Sequence, residues 1–391
     1  MIEPMQDDLS HILTHLGEDR ELGYNAVVPP IVQSGNFTYP TVAAMRAVVQ
    51  QEMEKPLYTR GFNPTVGILR KKIAALEHAE DALVFSSGSA AIASAVISFV
   101  KAGDHIVCVD KPYSWTKKLL VELLPRFGVE HTFVDGTDAE NYRKAIKPNT
   151  TFFILESPNS LTFELQDLAA VAKIAKEKGI ITLCDNSFSS PLFQNPIDLG
   201  IDMVAHSATK YINGHSDVVA GVLAGTKAYM RQVMQKEFMT LGACPSPHDA
   251  WLLMRGLRTL ELRVNRSADN ADKVAHFLDA HPKVKRTHWP FLESHPQHAL
   301  AKRQMKRCGG LMSIELDAGD EAAVERFCDN LKTFLIAVSW GGYESLQWPV
   351  CALKGPSGYY TDLPFTMIRL YVGLEDPDLL IADLEQALAR I

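Results

Sequence analysis

Apolar and polar positions change rhythm at about residue 66. The stretch VGILRKKIAALEHA carries apolar residues at helical spacing, DALVF reads as a short strand, and SSGSAAIASAVISFV reads as a turn opening a buried helix. The alternation continues with strands HIVCVD (105–110), EHTFVDG (130–136), TTFFILESP (150–158), IITLCDNS (180–187), DMVAHS (202–207) and VVAGVLAG (218–225). Between them lie helical stretches such as LLVELLPRFG and LAAVAKIAKEKG. Short apolar strands alternating with amphipathic helices predict a mostly parallel sheet covered on both faces. Ligands of such sheets collect beyond the carboxyl ends of the strands. Gly88, Tyr113, Ser157, Asp185 and Ser207 fall at those ends.

From about residue 256 the texture differs. Helices such as ADNADKVAHFLDAHP and EAAVERFCDNLKTF flank strands such as GGLMSIELD and TMIRLYVG, which predicts a smaller α+β domain. Residues 1–60 carry little strand pattern and several breakers, including Pro29–Pro30 and Gly35, so they read as an arm that packs on something else. The expected division is an arm (1–60), a large domain (61–255) and a small carboxyl-terminal domain (256–391).

Composition narrows the class. A chain of 391 residues with 47% hydrophobic and 22% charged residues can bury a substantial core unaided. The net charge of −7 has no long like-charge blocks, which argues against a nucleic-acid surface or a polybasic membrane patch. The amino-terminal MIEPMQDDLSHILTHLG is not expected to be a secretory signal, and no stretch offers some 18 uninterrupted apolar residues for a membrane span. Cys108, Cys184, Cys244, Cys308, Cys328 and Cys351 form no CxxC pair, and Cys108 and Cys184 sit inside apolar runs. A reducing cytoplasm with six thiols is expected. The thirteen histidines show no HExxH-type spacing, and no metal site is expected.

Chemistry gathers around AHSATKYINGHSDVVAG (205–221). Ser87-Gly88-Ser89 lies between a strand and a helix, where backbone N–H groups and the helix dipole can receive an anion. Ser207 and Thr209 add hydroxyls beside Lys210, and Arg60 could add charge; together they could hold a phosphate monoester. Asp185, at the end of an apolar strand, can cap the next turn or hold a proton on a pyridine nitrogen. Pyridoxal phosphate needs that partner, because a protonated ring is the better electron sink. Lys210 follows 25 residues later, after the next strand, where an amine can reach such a ring. Burial and nearby cationic charge would depress its pKa and make it a base. Taken singly, each residue also has an ordinary structural reading; the joint pattern points to the coenzyme.

The stretches YTRGFNPT, SSGSAAI, ESPNSLT, CDNSFSSPLF, HSATKYINGHSDVVAG, SWGGYESL and IRLYVGLEDPDLLIADLEQAL resemble the transsulfuration enzymes, the pyridoxal-phosphate enzymes of cysteine and methionine metabolism. The resemblance runs from about residue 25 to the end. It implies an α/β, fold type I, aspartate-aminotransferase-like architecture with a mostly parallel seven-stranded sheet, and a homotetramer built from catalytic dimers. It implies that Lys210 carries the coenzyme and shuttles protons, and that Asp185 pairs with its ring nitrogen. Gly88, Ser89, Ser207 and Thr209 would hold its phosphate, helped by Tyr58 and Arg60 from the neighbouring subunit. Tyr113 would stack on the ring and assist proton transfer. Ser339 and Arg369 would receive the substrate carboxylate, with a guanidinium offering two parallel bonds.

Within the family, Trp340, the Ser160-Leu161 pair and the carboxyl-terminal GLEDPDLLIADLEQALARI are closest to the bacterial cystathionine β-lyases. Val338 stands where cystathionine γ-lyases and γ-synthases place Glu, and YTRGFNPT is nearer the γ-enzymes. Trp115, Trp340 and Trp348 could narrow the pocket or serve packing. The expected activity is β-elimination of L-cystathionine or a related cysteine thioether to a thiol, pyruvate and ammonia. γ-Elimination or γ-replacement is the alternative, and a non-catalytic scaffold retaining the fold is the remaining class.

Overall fold

The computed structural model describes residues 8–356, 358–359 and 361–391. Seven strands form the first sheet: β1 (Asp81–Phe85), β2 (His105–Val109), β3 (Glu130–Val134), β4 (Thr150–Glu156), β5 (Ile181–Asp185), β6 (Met203–Ser207) and β7 (Gly221–Gly225). Their spatial order is β1-β7-β6-β5-β4-β2-β3. β6, β5, β4, β2 and β3 pair in parallel, while β7 runs antiparallel to both β6 and β1. The sheet is therefore parallel except for one strand, as expected from the apolar runs.

Strand residues alternate between two cores. Ala82 and Val84 of β1 join one cluster and Leu83 and Phe85 the other, so both faces are buried. Phe152, Phe153 and Leu155 of β4 are fully buried, and each such side chain stabilises the fold by roughly 1.5–3 kcal/mol. Side-chain caps set the helix starts facing the strand ends. Ser87 accepts from Ala90 N at 3.1 Å to open the helix Gly88–Phe99, and Asp167 accepts from Ala170 N at 3.1 Å to open Leu168–Lys178.

The second sheet has the order β10-β11-β14-β9-β8, built from β8 (Val284–His288), β9 (Leu311–Leu316), β10 (Leu335–Ile336), β11 (Leu346–Pro349) and β14 (Met367–Tyr371). A small antiparallel pair, β12 (Lys354–Gly355) and β13 (Gly358–Tyr359), precedes β14. One continuous apolar cluster joins the two sheets. It contains Leu69 and Ile73, then Leu253, Val264 and Ala271 of the helices Pro247–Leu257 and Leu260–Ala280, and finally Ile314 and Leu370. All six cysteines are free thiols, and Cys108 and Cys184 are core residues.

Near the amino terminus, the helix Leu9–Thr14 is fastened to its own chain. The buried Lys72 donates from Nζ to Ile12 O at 3.0 Å and Leu13 O at 3.3 Å, and pairs with Glu18 at 3.2 Å. The following segment leaves Leu22, Tyr24 and Val27 at least 80% exposed. Among the described residues no helix is long and apolar enough to cross a membrane, and no group of His, Cys, Asp and Glu could hold a metal ion.

Candidate active site

The register of the parallel strands aligns their carboxyl ends. Glu156 of β4 stands beside Asp185 of β5, while Ser207 of β6, Gly221 of β7 and Phe85 of β1 share one level. Just beyond Phe85 the chain turns into the helix Gly88–Phe99. This turn packs tightly on the neighbouring strands. A Cβ at Gly221 would lie 2.1 Å from Ser87 O, and one at Gly88 would lie 2.9 Å from Ser207 Cα. Only glycine lets the Ser87–Ser89 backbone approach Ser207 this closely.

Asp185 is held by the turn that follows it. Its Oδ1 accepts from Ser187 N at 3.0 Å and Ser187 Oγ at 2.6 Å, and Ser187 Oγ accepts from Ser207 N at 2.7 Å. Its second oxygen makes no hydrogen bond among the described residues and is left for another donor. Beside it, buried Glu156 accepts from Tyr113 N at 2.6 Å and Ser160 N at 3.1 Å. Burial first, then the Asp185 charge, push the Glu156 carboxyl up to about 8, against the pull of those donors.

Lys210 lies in the turn after β6, where its N–H bonds Ser207 O at 3.0 Å. Its Nζ donates to Ser339 Oγ at 2.6 Å and stands 5.7 Å from the centre of the Trp340 ring. Burial, reinforced by the Arg369 charge, lowers the amine to about 8, with Asp185 opposing. A substantial neutral fraction therefore exists just above neutral pH. Ser339 has φ +76°, in the left-handed region unusual for a residue with a side chain. Its neighbour Gly341 has φ +86°, and a Cβ there would meet the Lys210 backbone at 3.0 Å. The strained 339–341 turn thus sits directly against Lys210. Trp340 is buried, with its ring edge-on to Tyr211 at 5.4 Å.

Arg369 enters from β14. Its Nη2 reaches Ser339 O at 3.4 Å, and among the described residues no acid lies within ion-pair distance of it. Burial lowers the guanidinium to about 10, with the Tyr113 phenol acting the other way. It therefore remains a cation near neutral pH. An unpaired, largely buried cation is costly and invites an anion.

Tyr113 stands immediately before the helix Ser114–Lys118, makes no side-chain capping bond to it, and is 41% exposed. Burial raises its phenol, with the Asp185 and Glu156 charges adding, against a hydrogen bond with Ser89 and the Arg369 charge. The group is thus a proton-bearing phenol facing the same space as Asp185, Ser89 and Arg369. The hydroxyl of Thr209 is engaged with Ala220, accepting from its N–H at 3.0 Å and donating to its carbonyl at 3.3 Å. To serve a phosphate it would exchange that long second bond. Tyr58 and Arg60 lie outside this cluster. Both are exposed, with the guanidinium 5.5 Å from the Tyr58 ring, and no hydrogen bond or ion pair joins them to Lys210, Asp185 or Ser207 among the described residues.

The sequence reading missed Glu156 and Ser187. Aligning the ends of TTFFILE and ITLCD by strand length would have placed Glu156 beside Asp185. Ser187 carried the ordinary signal of an Asp-x-Ser turn.

The model of a family described as Cys/Met metabolism PLP-dependent enzyme matches residues 10–389. The chain is 41% identical over 380 residues to an L-methionine gamma-lyase of Treponema denticola, covering 94% of each chain. It is 40% identical to a cystathionine gamma-lyase of Bacillus subtilis, covering 97% of this chain and 99% of the relative. A cystathionine beta-lyase of Coxiella burnetii is 38% identical, with 97% and 98% covered. The crystal structure of metB from Corynebacterium glutamicum superposes with a TM-score of 0.91 at 37% identity, covering 98% of both chains.

Proposed function

The chain belongs to the Cys/Met metabolism PLP-dependent enzymes, and on that premise we propose that it is a carbon–sulfur lyase that β-eliminates L-cystathionine or a related cysteine thioether. The residues present fit the coenzyme. The glycine-lined turn at Ser87–Ser89 with Ser207 makes a cradle for its phosphate, the free oxygen of Asp185 suits its ring nitrogen, and Lys210 offers the amine that would carry it. When bound, pyridoxal phosphate supplies an electron sink for the pair left at Cα.

One observation carries the reading. The buried amine of Lys210 and the unpaired guanidinium of Arg369 meet through Ser339, which bonds one by its hydroxyl and the other by its carbonyl. An α-amino acid whose carboxylate lies on Arg369 can present its Cα proton to Nζ. Lys210 takes that proton, the Cβ–S bond breaks, and the thiolate leaves with the bond pair and is protonated. The remaining three-carbon fragment hydrolyses to pyruvate and ammonia. The raised phenol of Tyr113 suits it to donate a proton rather than to remove one.

β-Elimination needs one proton removal, which a single amine serves; γ-elimination needs a second, at Cβ. Val338, 73% exposed next to Ser339, gives no acid for the distal ammonium of a γ-bound cystathionine. γ-Elimination of methionine-like or activated homoserine substrates is the second reading, favoured by the names of several relatives. Product analysis separates them. Cystathionine is expected to yield pyruvate and homocysteine. Release of 2-oxobutyrate with cysteine, or 2-oxobutyrate from methionine, would establish the γ-reaction, and the absence of any keto acid would overturn the lyase reading.

The proposed working form is a homotetramer of catalytic dimers in which Tyr58 and Arg60 serve the neighbouring site. The exposure of Leu22, Tyr24 and Val27 supports a second copy covering this segment. The six free thiols suit a cytoplasmic setting.

A further inference from the structure

Trp348 has no assigned part in the chemistry above, yet it stands directly across from Arg369. The two residues are register partners on β11 and β14, so their side chains leave the same face of the second sheet. The Arg369 Cζ lies 5.2 Å from the centre of the Trp348 ring, within the range of a cation–π contact. The other strand neighbour of Arg369 is the buried Ser313, too short to hold a guanidinium. The only hydrogen bond of the Arg369 guanidinium among the described residues is the 3.4 Å contact to Ser339 O.

An arginine is usually held by an acid. In a carboxylate-binding site an acid partner would compete with the ligand for the same donor edge. An aromatic face attracts the cation without occupying its in-plane N–H groups, so the fork stays free. We propose that Trp348 is the positioning residue for Arg369: its indole holds the guanidinium plane while leaving the charge and donors to the substrate carboxylate. The inference rests on Arg369 being the carboxylate receptor. It predicts that loss of the ring weakens recognition of the carboxylate rather than of the amine.

The experiment measures dissociation constants of glycine and of methylamine for the holoenzyme from the coenzyme absorption, in the parent protein and in Trp348→Leu, Trp348→Phe and Arg369→Gln. Trp348→Leu is expected to weaken glycine roughly tenfold, within the strength of a desolvated cation–π contact, and to leave methylamine within about twofold. Trp348→Phe, which retains an aromatic face, is expected to restore glycine to within about threefold of the parent. With a thioether substrate, Trp348→Leu should raise KM more than it lowers kcat. Equal weakening of both ligands, or unchanged glycine binding, in Trp348→Leu would overturn the positioning role. Unchanged glycine binding in Arg369→Gln would instead remove the carboxylate reading on which it rests, whatever Trp348 does.

Discussion

At the scale of residues, burial sets the state of one amine. Lys210 is lowered to about 8 by burial and by the Arg369 charge. The neutral amine is the nucleophile, so its supply grows as pH rises through that value. Apoprotein stripped of coenzyme should therefore recapture pyridoxal phosphate at a rate that climbs with a midpoint near pH 8. Arg369→Gln removes one of the depressing charges and should move the midpoint upward. A midpoint near the ordinary lysine value of 10.5 would contradict the environment described. Arg369, by itself an ordinary strand arginine, is a candidate only through the family resemblance, while Lys210 and Asp185 were legible as candidates from residue type and strand position. Glu156 was not, because a strand-end Glu looks the same in sequence whether it is solvated or clamped by two N–H groups. Trp348 was visible as a residue but not as a partner of Arg369, since cross-strand register is a property of the folded sheet.

At the scale of elements, the buried parallel strands were the easiest to read. β2, β4, β5 and β6 are apolar on both faces, and amphipathic helices punctuate them. β8 and β11 escaped notice. VKRTH and LQWP carry polar and charged residues on a sheet that is covered unevenly, so neither shows a continuous apolar run. LLVELLPRFG was expected to be helical and does coil, but as a π turn (Leu119–Leu123) followed by a 3-10 turn (Leu124–Phe127). Pro125 explains the departure: it lacks an N–H, and its ring would strike the carbonyl of Val121 in a regular α-helix. The single reversed strand, β7, was read as a strand but not as reversed, since an apolar run carries no direction. Its consequence is local, because Gly221 lets the Ser87–Ser89 turn lie against β6, at the place proposed for the phosphate.

At the scale of the whole molecule, the amino-terminal segment divides in two. Its first helix is tied to its own chain through Lys72, which the sequence could not reveal because a lysine amid helical spacing reads as solvated. The segment beyond it leaves Leu22, Tyr24 and Val27 exposed, and no hydrogen bond or ion pair joins Tyr58 or Arg60 to Lys210 among the described residues. If those two residues serve a neighbour, two inactive variants should repair each other. Lys210→Ala mixed with Arg60→Ala and allowed to reassemble should regain roughly a quarter of the parent's active sites, since half of random dimers are mixed and each carries one intact site. No recovery in a mixture shown to have exchanged subunits would confine the site to one chain. The central claim, that Lys210 is the amine at which the chemistry is organised, has a direct measurement. The yellow holoenzyme is reduced with borohydride, digested, and its peptides weighed. The coenzyme's mass is expected on Lys210 and nowhere on the Lys210→Ala protein; its mass on any other lysine would contradict the role given to Lys210.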